Sequence, residues 1–238
     1  MELSVVIPTY NEKGNIEILV PAIQEVFKDN KIDGEIVIID DNSTDGTIET
    51  VKQFALQNKN VRLKVREGEK SLAKAWIEGF ELAKKEIIVC IDADLCHNPK
   101  YFPLMLSKME DYDIVIGSRY LIHKKGQIMA GKSLLACYVS EIGQTITRMC
   151  TGLSQTDTSH SFRMFKKKVF DDIKPYLKYQ GNVFLIEFLY MAVKKGYKVT
   201  EIEIDYGKRE YGKTKLIVLK EGLRYLYYVW QLRWRKIK

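Results

Sequence analysis

The sequence lacks the features that mark membrane-spanning, secreted and disordered chains. Its 238 residues include only 5 prolines and are 46% hydrophobic, which argues against disorder and fits one domain with or without an appendage. No run of about 18 or more uncharged apolar residues is present, so no segment is predicted to span a bilayer. The first residues carry no basic stretch followed by an apolar one, so we expect no secretory signal. The four cysteines show no metal-type pairing and indicate a reducing compartment.

The positive charge is concentrated near the end of the chain. The formal net charge is +7, from 38 Lys and Arg residues against 31 Asp and Glu residues. Residues 207–238 carry ten of the basic residues and two of the acidic ones, so the first 206 residues are nearly neutral. A nearly neutral body argues against nucleic acid as a partner of the chain.

Short apolar runs alternate with helical patterns in the first half, and the second half is less regular. The alternation is typical of βαβ units and predicts an α/β fold, a nucleotide-binding Rossmann-like and mostly parallel sheet flanked by helices. Strands are predicted over residues 3–7, 35–39, 86–91, 113–116, 162–165 and 198–204. Helices are predicted over residues 15–27, 47–56, 72–84, 133–149, 182–195 and 216–235.

Polar and acidic residues follow three of the predicted strands, at the edge where ligands collect in parallel sheets. Asp92 and Asp94 are separated by one residue and can converge on a hard divalent cation, Mg²⁺ or Mn²⁺. The alternative is that they only end the strand and cap the next helix. A carboxylate at a strand end, such as Asp40, can also accept a hydrogen bond from a nucleobase N–H.

Six segments occur in the order of a known family and cover nearly the whole chain. They are VVIPTYNE (Val5–Glu12), IDDNSTDGT (Ile39–Thr47), IDADLCHNP (Ile91–Pro99), GSRY (Gly117–Tyr120), DTSHSFRMFKK (Asp157–Lys167) and REYGKTKL (Arg209–Leu216). In these segments the sequence resembles the family-2 nucleotide-sugar glycosyltransferases, and within them the dolichyl-phosphate mannose synthase-like branch. The whole set is far more specific than any single segment.

The resemblance implies an inverting glycosyltransferase on a domain of the glycosyltransferase A type. Such an enzyme would move a sugar, mannose or glucose, from a GDP- or UDP-sugar to a polyprenyl or dolichyl phosphate, with Mg²⁺ or Mn²⁺ as cofactor. The acceptor phosphate is already anionic at neutral pH, so no strong general base is required. A saccharide hydroxyl is the alternative acceptor; it would need a base, for which Asp157 is the candidate.

The resemblance also implies roles for single residues. The metal would be held by Asp92 and Asp94, which with Arg119 and Asp157 make up the expected catalytic set. The nucleoside pocket would be lined by Pro8, Tyr10, Glu12, Asp41, Asp92 and Ala93, with Asp40 reading the base. Phosphates of the donor or the acceptor would meet Arg119, Ser140, Arg209 and Lys215, and the three cationic side chains of this set can screen negative charge.

Several positions depart from the family pattern. Cys96 stands at the usual glutamine, and a thiolate is a poor partner for Mg²⁺, so we do not expect it to coordinate. His160 stands at a usual glycine, and Lys70-Ser71-Leu72-Ala73 replaces a Gly-Leu-Gly segment. The usual arginine falls at Ala136, with Lys132 and Arg148 as candidate substitutes. His97, beside Asp94 and Cys96, is an alternative metal ligand, but the proline two residues on favours a position in the turn after the strand. No catalytic role is assigned to His123 or His160, because neither has a partner at a diagnostic spacing.

A second motif points to a different chemistry. Residues Gly126–Ser133 match the phosphate-binding pattern G-x-x-x-x-G-K-[ST] letter for letter, which suggests a P-loop phosphotransferase centred on Lys132. That motif requires a strand directly before it. Residues 120–125, which include paired lysines, instead separate the motif from the preceding predicted strand at residues 113–116. The alternative is a loop that leads into an acceptor-side helix at about residues 132–150.

The last segment is basic, aromatic and amphipathic. We expect a catalytic domain over residues 1–215 and a helix over residues 216–238 that lies in a membrane interface. At about 100° per residue, the helix groups Leu226, Trp230 and Trp234 on one face and Gln231 and Arg235 on the other. The prediction is a cytoplasmic protein, peripheral on an anionic membrane surface, with the need for a membrane-spanning partner subunit left open. The alternatives are packing of this apolar face on the domain or on a second subunit, and a membrane-binding module without activity.

Overall fold

A computed structural model describes residues 1–121, 134–178, 181–205 and 218–235. In these ranges the chain forms a seven-stranded sheet with helices packed on both faces. The strands are β1 (Glu2–Thr9), β2 (Asp33–Asp40), β3 (Val61–Val65), β4 (Ile87–Cys90), β5 (Ile114–Ser118), β6 (Arg163–Lys166) and β7 (Val199–Glu203). The α-helices are α1 (Lys13–Asp29), α2 (Thr47–Gln57), α3 (Leu72–Leu82), α4 (Phe102–Lys108), α5 (Leu134–Thr151), α6 (Lys167–Ile173), α7 (Phe184–Lys194) and α8 (Val218–Arg233).

The strand order is β3-β2-β1-β4-β6-β5-β7. β1 pairs in parallel with β2 and β4, and β3 and β7 extend the sheet in parallel at its two edges. Among the strands that the structure describes, only β6 is antiparallel to its neighbours, β4 and β5. The predicted mostly parallel α/β sheet is therefore confirmed. The reversal of β6 also brings the loop before it to the edge at which β4 and β5 end.

Residues alternate along the central strands between two apolar cores, one on each face of the sheet. Val5 and Ile7 are fully buried in one core, and Val6 is fully buried in the other. Helix α3 lies against the second core at Gly79, where an added Cβ would stand 2.2 Å from Val6 Cγ1. Because a side chain cannot fit there, Gly79 sets the distance of α3 from the sheet and positions the loop that precedes the helix.

Three short elements are absent from the sequence-based prediction. β3 is an edge strand that alternates apolar residues with Arg62 and Lys64, so it lacks the continuous apolar run of the inner strands. Helices α4 and α6 have 7 residues each, which is too short for a clear helical period. The prediction therefore located six of the seven described strands and the long helices, and it missed edge strand β3 and the two seven-residue helices.

The C-terminal helix α8 packs on the body of the protein. Val229 and Leu232 are fully buried. Tyr225 shares a hydrogen bond of 2.5 Å with Thr147 Oγ1 on α5. These contacts fix one face of α8 against α5 and α7.

The face of α8 that the sequence groups as apolar is not the face that packs on the body. Leu226, Trp230 and Trp234 are 38%, 55% and 68% exposed. Arg235, which the helical pattern places on the polar face, lies two residues after the end of α8 and forms an ion pair with the fully buried Glu187 of α7. The pattern orders residues by polarity, but it does not show which stripe meets the body. None of the helices that the structure describes is long and apolar enough to cross a bilayer.

Candidate active site

Three loops at the carboxyl edge of the sheet each carry a residue in the left-handed backbone region. Asn11 after β1 has a φ of 56°, Asn42 after β2 has a φ of 59°, and Leu95 after β4 has a φ of 63°. Asparagine adopts this region readily, whereas for leucine the cost is roughly 1–2 kcal/mol. Strained backbone of this kind concentrates at ligand-binding loops, so the loop after β4 is the first candidate for a site.

Hydrogen bonds join the loop after β1 to the loop after β2. Thr9 Oγ1 donates to Asp40 Oδ2 at 2.7 Å. Asp40 also accepts from the backbone N–H and the hydroxyl of Ser43, both at 2.7 Å. Asp40 is fully buried, and these contacts shape the two loops. Recognition of a nucleobase by this carboxylate stays a prediction.

The residues predicted to line a nucleoside pocket on the first loop lie close to the loop that precedes α3. Pro8 is half-buried near the end of β1. The ammonium group of Lys70 lies over the ring of Tyr10, 3.6 Å from the ring centroid. Glu12 Oε2 accepts a hydrogen bond of 2.5 Å from Asn15 Nδ2 at the start of α1. The contact between Lys70 and Tyr10 places a positive charge beside the expected nucleotide position.

Asp41 is held by the loop that precedes α3. Its carboxylate forms an ion pair with the buried Arg66 and accepts the N–H of Ser71 at 2.9 Å. Arg66 Nε also donates to Glu78 Oε1 at 2.8 Å. Burial alone would lower the pKa of Arg66, but the contacts with Glu78 and Asp41 raise it above its ordinary value, so the guanidinium stays charged. Asp41 therefore ties β2 to α3.

Asp92 and Asp94 lie directly after β4, on either side of the buried Ala93. Ser161 Oγ donates to Asp92 Oδ2 at 2.6 Å, and the N–H of Cys96 donates to Asp94 Oδ1 at 3.2 Å. In the described ranges no three His, Cys, Asp or Glu side chains are grouped so that they could hold a metal ion. Mg²⁺ commonly takes one or two carboxylates and completes its shell with water and substrate phosphates. A pair of aspartates therefore fits Mg²⁺ or Mn²⁺ together with a bound diphosphate.

Arg119 and Asp157 form the second charged pair of the site. Arg119 donates from Nε and Nη2 to the two oxygens of Asp157, at 2.7 and 2.9 Å. Gln144 Nε2 on α5 reaches Asp157 Oδ1 at 3.3 Å, and Glu201 on β7 accepts the N–H of Asp157 at 2.9 Å. Asp157 is fully buried with both oxygens engaged, so it is placed to hold the guanidinium of Arg119.

Helix α5 reaches the site through Ser140. This half-buried serine shares a hydrogen bond of 2.6 Å with the hydroxyl of Tyr120. The guanidinium carbon of Arg119 lies 5.4 Å from the centroid of the Tyr120 ring. Burial raises the pKa of Tyr120, so the hydroxyl stays protonated at neutral pH. Arg148, a candidate substitute for the cation missing at residue 136, donates to Thr145 Oγ1 at 3.3 Å.

Two buried histidines lie beside the loop after β4. His97 Nε2 and His160 Nε2 are 3.0 Å apart, and the two rings are nearly perpendicular at 89°. Burial lowers the pKa of His97 and takes the pKa of His160 well below its ordinary value, where the charge of Arg119 acts in the same direction. The sequence assigned no role to either ring. The one available signal was a histidine at a position where the resembled family has glycine.

Two further polar residues of this region were missed. Gln144 Oε1 accepts the N–H of Thr158 at 2.9 Å, which ties α5 to the loop before β6. Arg163 is fully buried and donates from Nε to the carbonyl of His160 at 3.0 Å, and burial lowers its pKa to about 10. The only sequence signal for Arg163 is a charge inside an apolar strand pattern. No periodic signal marks Gln144.

Several predicted residues lie outside the described residues. They are Arg209 and Lys215, the phosphate-binding pattern Gly126–Ser133 with Lys132, and His123. The side chain at residue 136 is also outside the described part. Phosphate binding by Arg209 and Lys215 stays a prediction, and so does the P-loop alternative.

The family model described as glycosyl transferase family 2 matches residues 4–174 of the chain. Two curated proteins named dolichol-phosphate mannosyltransferase are similar in sequence. The protein from Saccharomyces cerevisiae is 31% identical over 230 residues, which cover 91% of this chain and 81% of the yeast protein. The protein from Mycosarcoma maydis is 29% identical over 220 residues, which cover 90% of this chain and 73% of that protein.

A solved structure shares the fold. Glucosyl-3-phosphoglycerate synthase from Mycobacterium tuberculosis, in complex with Mn²⁺, uridine diphosphate and phosphoglyceric acid, superposes with a TM-score of 0.66 and 16% sequence identity. The match covers 100% of this chain and 80% of that chain. At this identity the likeness is one of fold, and it agrees with the architecture expected from the sequence.

Proposed function

The chain belongs to glycosyl transferase family 2, and from that membership we propose that it transfers a sugar from a nucleotide-sugar to a polyprenyl phosphate. The two curated relatives named dolichol-phosphate mannosyltransferase support a lipid phosphate acceptor and mannose as the sugar, with glucose as the alternative. The donor is a GDP- or UDP-sugar. The solved protein of the same fold was crystallised with uridine diphosphate, which supports a nucleoside diphosphate in this position.

The observation that carries the proposal is the state of Asp157. A saccharide hydroxyl must lose a proton as it attacks, so its transfer needs a base that can reach it. Asp157, the candidate for that task, is fully buried, and both of its oxygens accept hydrogen bonds from Arg119 and Gln144. A phosphate acceptor is already ionised and needs no such base. The arrangement therefore favours a phosphate acceptor over a hydroxyl acceptor.

On the donor side, Asp92 and Asp94 are the residues that would hold Mg²⁺ or Mn²⁺. When bound, the ion supplies Lewis-acid stabilisation of the diphosphate that leaves the sugar. Ser161 orients Asp92 through its hydrogen bond of 2.6 Å, and the N–H of Cys96 orients Asp94. Lys70 and Tyr10 lie together beside the nucleotide position and supply a positive charge and a stacking surface there.

On the acceptor side, Arg119 binds the attacking phosphate. Its orientation is fixed by Asp157, so it presents its charge without reorganising when the acceptor arrives. A phosphate oxygen attacks the anomeric carbon from the face opposite the diphosphate, and the electron pair of the breaking C–O bond leaves with the diphosphate. The configuration at the anomeric carbon is inverted. Arg209 and Lys215 are further phosphate contacts in this proposal.

We propose a catalytic domain at residues 1–215 and a membrane-interface segment at residues 216–238, whose described helix is α8. The support is the exposed aromatic side of α8, where Tyr227, Trp230 and Trp234 face away from the body. Tryptophan and tyrosine sit favourably at the level of lipid headgroups, and the basic residues of this segment suit an anionic surface. The protein would act from the cytoplasmic face, alone or with a membrane-spanning partner subunit.

The test is a panel of GDP- and UDP-sugars offered with short polyprenyl phosphates, with transfer to lipid as the readout. We expect one donor to give transfer that depends on Mg²⁺ or Mn²⁺ and is lost in Asp92→Asn and Asp94→Asn. Asp111→Asn, an exposed carboxylate in the turn after α4, is the matched control and should keep full activity. Transfer only to a sugar hydroxyl, or activity that survives loss of Asp94, would contradict the proposal.

A further inference from the structure

A chain of three hydrogen bonds runs through the two buried histidines. The backbone N–H of Asp92 points at His97 Nδ1 at 3.3 Å. His97 Nε2 and His160 Nε2 are 3.0 Å apart, and His160 Nδ1 is 2.5 Å from the carbonyl oxygen of Gly117. The chain thus begins at a residue of the predicted metal pair and ends on β5, two residues before Arg119.

The two ends of this chain determine where its protons lie. A backbone N–H can only donate, so His97 Nδ1 is the acceptor and His97 carries its proton on Nε2. A backbone carbonyl can only accept, so His160 carries its proton on Nδ1. The middle bond is then a donation from His97 Nε2–H to the bare Nε2 of His160. Both rings are neutral in the one arrangement that satisfies all three contacts.

The surroundings of the pair favour this neutral arrangement. His97 and His160 are 2% and 3% exposed. The ring of His97 stacks on Phe162 with centroids 5.1 Å apart and planes at 12°. The rings of Phe162 and Phe102 also lie together, with their centroids 6.1 Å apart. Burial among apolar rings disfavours a charged imidazole.

The loop that holds His160 reaches Asp92 a second time. Ser161, the next residue, donates to Asp92 Oδ2 at 2.6 Å, so the backbone and the carboxylate of Asp92 are both held from this side. With glycine at residue 160, His97 Nε2–H would lose this partner in a buried position, where an unmade hydrogen bond is unfavourable. The histidine at this position therefore completes a contact that glycine cannot make.

We propose that His97 and His160 are positioning residues that couple the aspartate pair after β4 to the end of β5, next to Arg119. The coupling holds the donor diphosphate and the acceptor phosphate in register. The inference rests on the proposed transfer reaction. The pair acts through Asp92 and touches neither substrate. Its effect is to fix the peptide of Asp92, and outer contacts of this kind typically change metal affinity or activity about 10- to 100-fold.

Amide side chains can replace one half of an imidazole at a time. At residue 160, glutamine places an acceptor where Nε2 lies and keeps the contact with His97, whereas asparagine keeps only a donor towards Gly117. We expect kcat to fall about 10- to 100-fold in His160→Asn and His160→Gly, with the KM for polyprenyl phosphate little changed. His160→Gln should keep most of the wild-type kcat. Phe102→Leu, which loosens the same aromatic cluster without touching the chain, should lower the melting temperature but not kcat.

Two readouts do not depend on turnover. Long-range ¹H–¹⁵N spectra of the metal-free protein at neutral pH should show His97 protonated at Nε2 and His160 at Nδ1. Mn²⁺ binding in the presence of GDP or UDP, followed by electron paramagnetic resonance, should weaken about 10-fold in His160→Asn and recover in His160→Gln.

The proposal is overturned if either ring is charged at neutral pH or if the tautomers are reversed. It is equally overturned if Mn²⁺ affinity is the same in the wild type and His160→Asn, or if kcat follows the melting temperature across all variants, Phe102→Leu included. A protein that transfers no sugar from any donor would refute the proposed function, whereas the spectra and Mn²⁺ binding would still decide on the coupling.

Discussion

Arg119 and Asp157, 38 residues apart in the sequence, meet through two nitrogen–oxygen contacts of 2.7 and 2.9 Å. The side chain of Arg119 is 10% exposed and that of Asp157 is fully buried. A pair of this kind is weak evidence for stability, because desolvation offsets much of the attraction. Its value in this protein is orientation, since the two-point contact fixes the guanidinium plane.

The first prediction concerns Asp157→Asn. The amide cannot match the two-point contact, so Arg119 loses its orientation and we expect the transfer rate to fall by about 100-fold. Initial rates at varied polyprenyl phosphate concentration would measure the loss, with Asp171→Asn on the exposed side of α6 as the control. If Asp157 were instead the general base, the acidic limb of the pH–rate profile would disappear in the variant; we expect it to remain.

The second prediction compares two glycines. At Gly79 an added methyl group would stand 2.2 Å from Val6 Cγ1, so Gly79→Ala should destabilise the fold by about 1–3 kcal/mol. At Gly143, within α5, an added methyl group meets nothing within 4 Å. Gly143→Ala should therefore stabilise the protein by roughly 0.5–1 kcal/mol, because glycine is a poor helix former. Urea unfolding of both variants measures the contrast, and equal effects of the same sign would contradict the packing of α3.

The third prediction concerns the pH dependence of stability through Glu35. Burial alone would raise the pKa of Glu35, but hydrogen bonds from the Lys84 N–H, Ser4 and Arg62 outweigh it and hold the pKa below 4.5. The stability contributed by Glu35 is therefore present above about pH 4.5 and is lost as the pH falls through the lowered value. Glu35→Gln should be less stable than the wild type at pH 7, and the gap should close in acid.

Chemical unfolding at a series of pH values would follow that gap. Glu110→Gln, an exposed glutamate near the end of α4, provides the control and should show no such dependence. A gap for Glu35→Gln that widens in acid would contradict the direction of the pKa shift.

The fourth prediction concerns the exposed aromatic side of α8. Trp230→Glu combined with Trp234→Glu should abolish sedimentation with anionic lipid vesicles. The carboxylate of glutamate does not enter the membrane interface, and the negative vesicle surface repels it. The melting temperature should change little, since both side chains are more than half exposed. Leu56→Glu on α2 replaces an apolar side chain that is 88% exposed elsewhere and should leave vesicle binding intact. Retained sedimentation of the double variant would refute a membrane role for this face.

The inner strands and the acidic strand ends could be predicted from the sequence because their signals are local. Strands β1 and β2 are buried on both faces and read as continuous β-branched runs, and Asp92 and Asp94 follow such a run directly. Edge strand β3 carries the weaker signal of alternation, which is easily read as a loop. Local patterns thus located the acidic strand ends to which the proposed function assigns the donor.

Arg119, Ser140 and Asp157 were expected from the resemblance, but the contacts between distant positions around them could not be predicted from local patterns. His97 and His160 are 63 residues apart, and no spacing rule relates them. Gln144 meets Asp157 only because α5 lies over the loop before β6. The face of α8 that packs on the body could not be predicted for the same reason. That face is selected by the contacts with α5 and α7 and not by polarity alone.

The reversal of β6 has a consequence for inheritance. Strands β1 to β4 and strands β5 to β7 form two blocks, each continuous in the sequence, and in the described sheet only the four residue pairs of β4 with β6 join them. A recombination event at the exposed turn around residues 110 and 111 would exchange the whole second block. It would interrupt this ladder together with the contacts of His97 with His160, Asp92 with Ser161 and Phe80 with Phe165. We therefore expect the two blocks to be inherited together, since the side chains that join them lie on both sides of the β4–β6 ladder.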